Sequence, residues 1–258
     1  MNKPRRQFIK ELTLAGTFAT TLSAFNTRIA LATEGPGKKI RADKGTIFLF
    51  QGDSITDGNR GRNEDPNHIM GHGYAFAIAA RIGADHPDMD YQFYNRGISG
   101  NTVVDLAQRW QTDTLDLKPD VLSILVGVND STYWLFNWAN AVSVSRYGEV
   151  YASLLEKTLE KYPDILFALG LPFILKVGNV GRNWDAYHSD ILQRQEIVRQ
   201  LAEKHKAVLI DYQDLFNEAS EEAPAEYWIW DGIHPTVPGH ELMAREWISC
   251  VRKRLVIR

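Results

Sequence analysis

One cysteine, Cys250, stands among 258 residues, so an internal disulfide and any multi-cysteine zinc or iron–sulfur centre are excluded. Neither sign of charge dominates: the formal net charge is -3, and no global basic field draws in nucleic acid. Long apolar runs are missing as well, and the apolar stretch Leu12 to Phe25 is too short and too rich in Thr and Ser to span a bilayer comfortably. There is no internal repeat, no low-complexity linker and no continuous apolar lid. Gly52 to Gly58 lacks the Gly-Lys-Ser/Thr ending of a phosphate loop, and Gly97-x-x-Gly100 is only part of a dinucleotide fingerprint. What is present, 44% hydrophobic and 24% charged residues, is enough apolar material for a true core and argues against disorder, collagen-like repeats and coiled coil. The length suits one large α/β domain better than two.

The first residues read as an address. Pro4-Arg5-Arg6-Gln7-Phe8 is followed by the apolar stretch and then by Ala30-Leu31-Ala32, a small-residue cleavage signal in the expected order. The paired arginines with Phe8 two residues on resemble a bacterial twin-arginine export signal. The expectation is a signal peptide over residues 1–32, a linker over 33–45 and a catalytic domain over 46–258, exported by the twin-arginine machinery to the periplasm or beyond, with no stable membrane span after cleavage. Cleavage after Ala32 removes five basic residues and one acidic, leaving 24 basic against 31 acidic, a formal charge of -7. Twin-arginine export carries folded proteins, and a chain without disulfides is suited to folding in a reducing cytoplasm.

Short apolar runs recur along the rest. Thr46 to Gln51, Tyr91 to Asn95, Val121 to Val126, Ile165 to Leu169 and Ala207 to Ile210 are bounded by Gly, Asp or Pro, as buried parallel strands are. Helical spacing lies between them: Tyr147, Val150, Tyr151, Leu154, Leu155 and Leu159 form one face, stopped by Pro163. Ile191, Val198 and Leu201 form a second face, and Met243, Trp247, Cys250 and Val251 a third. Such alternation predicts a parallel sheet with helices on both faces, and ligands bind at the carboxyl ends of strands in such sheets.

Four polar clusters fall at those ends or late in the chain. Gly52-Asp53-Ser54-Ile55-Thr56-Asp57 follows the first run, where a serine at a strand-to-helix turn presents both its hydroxyl and its N–H above the sheet. Asn95-Arg96-Gly97-Ile98-Ser99-Gly100-Asn101 follows the second, with glycines that let backbone approach a ligand. Gly127-Val128-Asn129-Asp130 follows the third and offers an amide donor. Asp231-Gly232-Ile233-His234 brings a carboxylate within one turn of an imidazole. Taken singly, each cluster also reads as a cap, a turn or a structural Asp–His bond.

In this order the four clusters resemble the SGNH (GDSL) hydrolases, a family named for Ser, Gly, Asn and His in four blocks. The matching positions are Ser54, Gly100, Asn129 and His234, with Asp231 three residues before the histidine; Gly97 is the alternative glycine. The likeness runs from about Thr46 to about Arg245, and the first block reads Gly-Asp-Ser-Ile instead of Gly-Asp-Ser-Leu. It implies a three-layer, flavodoxin-like α/β fold with a five-stranded parallel sheet. It also implies a serine esterase with Ser54 as nucleophile, His234 as base, Asp231 as its orienting partner, and Ser54, Gly100 and Asn129 as the oxyanion hole, without metal or organic cofactor.

Three loops are candidates for shaping the pocket: Asn59 to Gly73, Ser131 to Ser145 and Leu171 to Trp184. Trp134, Trp138 and Arg182 are candidate substrate contacts, and the aromatics are equally suited to packing a long loop onto the domain. Export together with Trp- and Arg-bearing loops points to an esterase acting on decorated glycans, and the resemblance implies short, acetyl esters on a carbohydrate, as exported members of the family often remove O-acetyl groups from polysaccharides; a lysophospholipase or short-chain lipase is the alternative from the same chemistry. His68 and His72 have a metal-binding spacing, but Pro66, Gly71 and Gly73 break the helix it needs.

Overall fold

A computed structural model describes residues 39–63 and 65–257. The leader expected over residues 1–32 lies outside the described residues, as does the linker up to residue 38. The elements begin with β1 (Ile40–Arg41), β2 (Ile47–Gly52), α1 (Ser54–Asp57), α2 (Tyr74–Asp85), β3 (Gln92–Asn95), α3 (Val103–Gln108) and α4 (Trp110–Asp113). They continue with β4 (Val121–Leu125), α5 (Val128–Leu135), α6 (Val144–Lys161), β5 (Leu166–Gly170), α7 (Gly178–Arg182) and α8 (Trp184–Lys204). The last are β6 (Val208–Ile210), α9 (Tyr212–Glu222), α10 (Ala225–Trp228), α11 (Val237–Val251) and β7 (Leu255–Val256).

The five predicted strands form one parallel sheet in the order β3-β2-β4-β5-β6. β4 and β5 are buried along their whole length and β2 at all but its first residue, so they read as near-continuous apolar runs, whereas the edge strand β3 is mostly half-buried or exposed. Phe48 and Phe50 of β2 enter one apolar layer with Tyr74, Ile78 and Ile82 of α2 and Met243 and Trp247 of α11. Leu49 enters the other, with Val103 and Leu106 of α3, Tyr147, Tyr151 and Leu154 of α6 and Val198 of α8. This is the three-layer, flavodoxin-like arrangement expected. The chain runs from β2 outward to β3 and then returns past β2 to β4, so the strand order reverses between β2 and β4, the place where open sheets of this kind leave a ligand crevice.

Helix ends follow local chemistry. Ser143 caps α6 by accepting the Arg146 N–H at 3.2 Å, and Thr102 and Asp105 form a reciprocal capping box on α3. The buried stripe of α6 is the predicted one from Tyr147 to Leu155, with Thr158 buried and Leu159 half-buried at its end, and burying each large apolar side chain on it stabilises by about 1.5–3 kcal/mol. Arg194 of α8 is fully buried: Nε donates to Asp190 at 2.6 Å, and Nη2 donates to the carbonyls of Val142 at 2.8 Å and Asp130 at 3.3 Å. It ties α8 to α5 and to the segment before α6.

Three local readings change. The segment Ser131 to Ser145, expected as a loop, opens inside α5, which Arg194 holds from outside through the Asp130 carbonyl; Thr132 Oγ1 donates back to Val128 O at 2.9 Å. The loop Leu171 to Trp184 contains α7. Within the stretch read as a linker, Ile40–Arg41 pairs in parallel with Leu255–Val256, and Ala42 is buried in the core.

Candidate active site

Ser54 is the first residue of α1, at the carboxyl end of β2 beside the reversal of strand order. Asp53 caps that short helix, its Oδ1 accepting the Ile55 N–H at 3.0 Å. The Ser54 hydroxyl stands 2.9 Å from His234 Nε2, and His234 Nδ1 stands 2.7 Å from Asp231 Oδ2. The other Asp231 oxygen accepts the backbone N–H of Ile233 at 2.9 Å and of His234 at 2.7 Å. With a carboxylate on its Nδ1 side, the imidazole carries its proton there and turns a lone pair at Nε2 toward the serine.

The electrostatics follow from these contacts. The hydrogen bond to Asp231 holds the His234 imidazole above its ordinary value against the opposing effect of burial, and the charges of Asp231 and Asp53 add to it. Burial pushes the Asp231 carboxyl up, but the His234 side chain and the two N–H donors outweigh it and leave it below the ordinary value. Asp53 is sealed beneath the nucleophile, and burial raises its carboxyl to about 7. His240, at the opening of α11, accepts the Tyr74 N–H on Nδ1 at 3.2 Å. Burial first, then His72 and His234, push it down to about 4, so at neutral pH it is an uncharged cap on α2.

The second and third expected blocks are joined by hydrogen bonds from α5. Gly97 is committed to packing: its N–H donates to Asn95 Oδ1 at 2.9 Å, and an added Cβ would run into the backbone of Thr56 and Asp57. Gly100 instead has φ +83, a conformation glycine adopts without strain. Its carbonyl accepts the Tyr133 hydroxyl at 3.1 Å, and the next carbonyl, of Asn101, accepts the Asn129 amide at 3.1 Å. Asn129 and Tyr133 lie four apart on α5, so one helical face fixes the Gly100 turn from both sides. Asn129 keeps a second amide N–H for a ligand.

Several further residues hold this arrangement, of which Asp57 already lies in the first block of the sequence. Asp57 accepts the Ser99 N–H and hydroxyl, both at 2.9 Å, and the Arg62 guanidinium at 2.7 Å, joining the first block to the second. Burial raises its carboxyl, but these donors keep it below the ordinary value. Arg109, between α3 and α4, donates to Asn101 Oδ1 at 2.9 Å, to Gln51 Oε1 and the Arg96 carbonyl at 2.8 Å, and to the Gly52 carbonyl at 3.3 Å. Trp230 lies nearly parallel to the His234 ring, with centroids 6.2 Å apart. Its position directly before Asp231 was the one available sequence signal.

The substrate candidates part company. Trp138 lines a cavity of about 410 Å³ that also touches Asp231 and Ile233, whereas Trp134 and Arg182 do not line it. Arg182 sits with Lys176 and Trp184 at a separate depression. In the polar loop, Arg60 donates to Gly97 O at 2.9 Å and Arg62 is bound to Asp57, so both arginines brace the site's frame. His68 faces Asp65 at 3.3 Å, and among the described residues no three His, Cys, Asp or Glu side chains cluster as metal ligands.

Comparison with known proteins identifies the family. The sequence pattern of the GDSL-like lipase/acylhydrolase family matches residues 50–242. An acetylxylan esterase of Geobacillus stearothermophilus is 33% identical over 214 residues, spanning 81% of this chain and 95% of that protein. A GDSL-like lipase from Parabacteroides merdae superposes with a TM-score of 0.79 at 36% identity, covering 83% of this chain and 99% of that one. The crystal structure of an acetylxylan esterase from Geobacillus stearothermophilus gives a TM-score of 0.72 at 32% identity, covering 82% and 96%. The chain belongs to the GDSL-like lipase/acylhydrolase family and is a carboxylic ester hydrolase. Among the described residues no helix is long and apolar enough to cross a membrane.

Proposed function

We propose that this enzyme removes acetyl groups from a carbohydrate through an acyl-serine intermediate. Ser54 attacks the ester carbonyl while His234 takes its proton at Nε2, and Asp231 steadies the imidazolium that forms. The Ser54 N–H, the Gly100 N–H and the Asn129 amide receive the oxyanion; losing one such donor typically costs about 2.7–4 kcal/mol of transition-state stabilisation. His234 then gives its proton to the leaving sugar oxygen, takes a proton from the water that attacks the acyl-serine, and passes it to Ser54 Oγ as acetate leaves. The observation that carries the reading is the unbroken line from Ser54 Oγ through His234 to Asp231, at 2.9 Å and 2.7 Å. The carbohydrate assignment is supported by the acetylxylan esterase relative.

The test has two parts. Ser54→Ala is expected to abolish ester hydrolysis with the fold intact by circular dichroism; near-wild-type turnover would refute the assignment. On p-nitrophenyl esters of rising length, kcat/KM is expected to favour acetyl over butyryl and to be poor for octanoyl. A steady climb toward octanoyl, at the roughly 0.8 kcal/mol that each buried methylene adds, would move the reading to a lipase. Export by the twin-arginine machinery is part of the same proposal, supported by Arg5-Arg6-Gln7-Phe8 and Ala30-Leu31-Ala32. Replacing Arg5 and Arg6 by lysine is expected to leave the protein in the cytoplasmic fraction.

A further inference from the structure

We propose that the cavity beside Asp231 is a subsite for one pyranose ring of a neutral glycan; this rests on the carbohydrate-ester reading above. The cavity holds about 410 Å³, within the range of small-ligand sites, and Asp231 and Ile233 form part of its wall. It therefore adjoins the same turn that presents His234. A second continuity comes from α5: Thr132 and Phe136, both in the cavity wall, follow Asn129 by three and seven residues and so share its helical face. A ring seated there lies along the helix that supplies the amide donor.

The lining matches a sugar better than an acyl chain or an anion. Phe136 and Trp138 stand 45% and 54% exposed, with ring centroids 6.2 Å apart, and Tyr187 lies 6.1 Å from Phe136. These faces offer the flat apolar contact that the C–H side of a pyranose needs. On α7 and just after it, Asn179 and Asn183 contribute exposed amide side chains, each both donor and acceptor, as the hydroxyl rim of a sugar requires. Among the described residues no lysine or arginine lines the cavity and Asp231 is its only carboxylate, so a phosphate headgroup or an acidic sugar meets repulsion instead of a partner. The amides and the Thr132 and Tyr187 hydroxyls, 3.1 Å apart, interrupt the apolar wall that a long acyl chain would need.

The experiment has a catalytic and a binding arm. Wild type, Trp138→Ala and Asn183→Leu, both changes at exposed positions, are assayed on acetylated xylotetraose, p-nitrophenyl acetate and p-nitrophenyl octanoate. For Trp138→Ala the ratio of kcat/KM on the glycan to that on the small acetyl ester is expected to fall by about tenfold, and for Asn183→Leu by a smaller factor. An unchanged ratio overturns the subsite, and so does a loss confined to the octanoyl ester, which would make the cavity an acyl site. In the binding arm, xylotetraose without esters is titrated into the wild-type and Trp138→Ala proteins while tryptophan fluorescence is followed. A saturable change that disappears in the variant supports the subsite; no saturable change in wild type overturns it. If xylotetraose binds through Trp138 and no acetate is released from its acetylated form, the substrate reading fails and the subsite stands.

Discussion

Replacing Asp53 by asparagine isolates the cost of a charge buried directly beneath the nucleophile. Asp53 is 1% exposed; Oδ1 is satisfied by the Ile55 N–H at 3.0 Å, and Oδ2 has no hydrogen-bond partner among the described residues. Burial raises the carboxyl from 3.8 to about 7, against the Ile55 N–H and the His234 charge. A carboxyl that holds its proton more tightly folded than unfolded stabilises the fold fully below 3.8 and loses that contribution as pH rises through about 7. Between about pH 4 and pH 8 the loss comes to about 4 kcal/mol, at about 1.4 kcal/mol per tenfold difference in proton affinity. Asparagine keeps the Oδ1 acceptor and cannot ionise. Asp53→Asn is therefore expected to match wild type near pH 4 and to exceed it by up to about 4 kcal/mol near pH 8. Urea unfolding across that range, read as the difference between the two stability curves, measures this directly. Parallel curves would refute the argument. A companion readout is activity: the ionised Asp53 helps hold the His234 imidazole up, so the acid limb of kcat/KM is expected to move to lower pH in the variant.

Hydrolysis needs Nε2 of His234 unprotonated, so wild-type activity is expected to fall on acidification at a pH above the ordinary imidazole value of about 6.5. Asp231→Asn is expected to move that limb down and to cut turnover by up to about 10⁴-fold; a limb that stays put would place the cause elsewhere. Arg194→Met leaves Asp190 buried without its partner and is expected to cost about 3–5 kcal/mol in thermal unfolding, whereas a loss below about 1 kcal/mol would contradict the network. Tyr133→Phe removes the hydroxyl that fixes the Gly100 carbonyl, about 1 kcal/mol, and is expected to lower kcat about fivefold with KM unchanged; an unchanged kcat would release Tyr133 from that role.

The central strands were readable because burial on both faces leaves an uninterrupted apolar signature, as with Phe48 and Leu49 pointing into opposite layers. The pair β1 and β7 was not, since two residues per strand, with Ile40 39% exposed, carry no periodicity. Helix α5 was hidden for a related reason. Asn129, Asp130, Ser131 and Thr132 favour caps and turns locally, and the helix is held at Asp130 by Arg194, 64 residues further along the chain. In the site, the groups that face the reacting atoms announced themselves as short motifs, three at strand ends and one late in the chain, and the structure brings Ser54, His234 and Asp231 into line. Their supports did not. Arg109 and Tyr133 act through contacts that cross the fold, and a sequence records a long-range hydrogen bond only as one arginine or tyrosine among many.

The small parallel pair of β1 and β7 has a practical consequence for tethering. It joins the two ends of the described fold, Ile40 beside Leu255 and Arg41 beside Val256. The residues just after β1 share a shallow depression with Asp120, Val121, Asp164 and Leu166, where β4 and β5 begin. Both ends are thus anchored at the amino pole of the sheet, and Ser54 sits at the carboxyl pole. A bead, a carrier domain or an electrode joined just before Ile40 or just after Ile257 would hold the enzyme by its back. The cleft would face outward, open to a polymer too large to diffuse around the molecule.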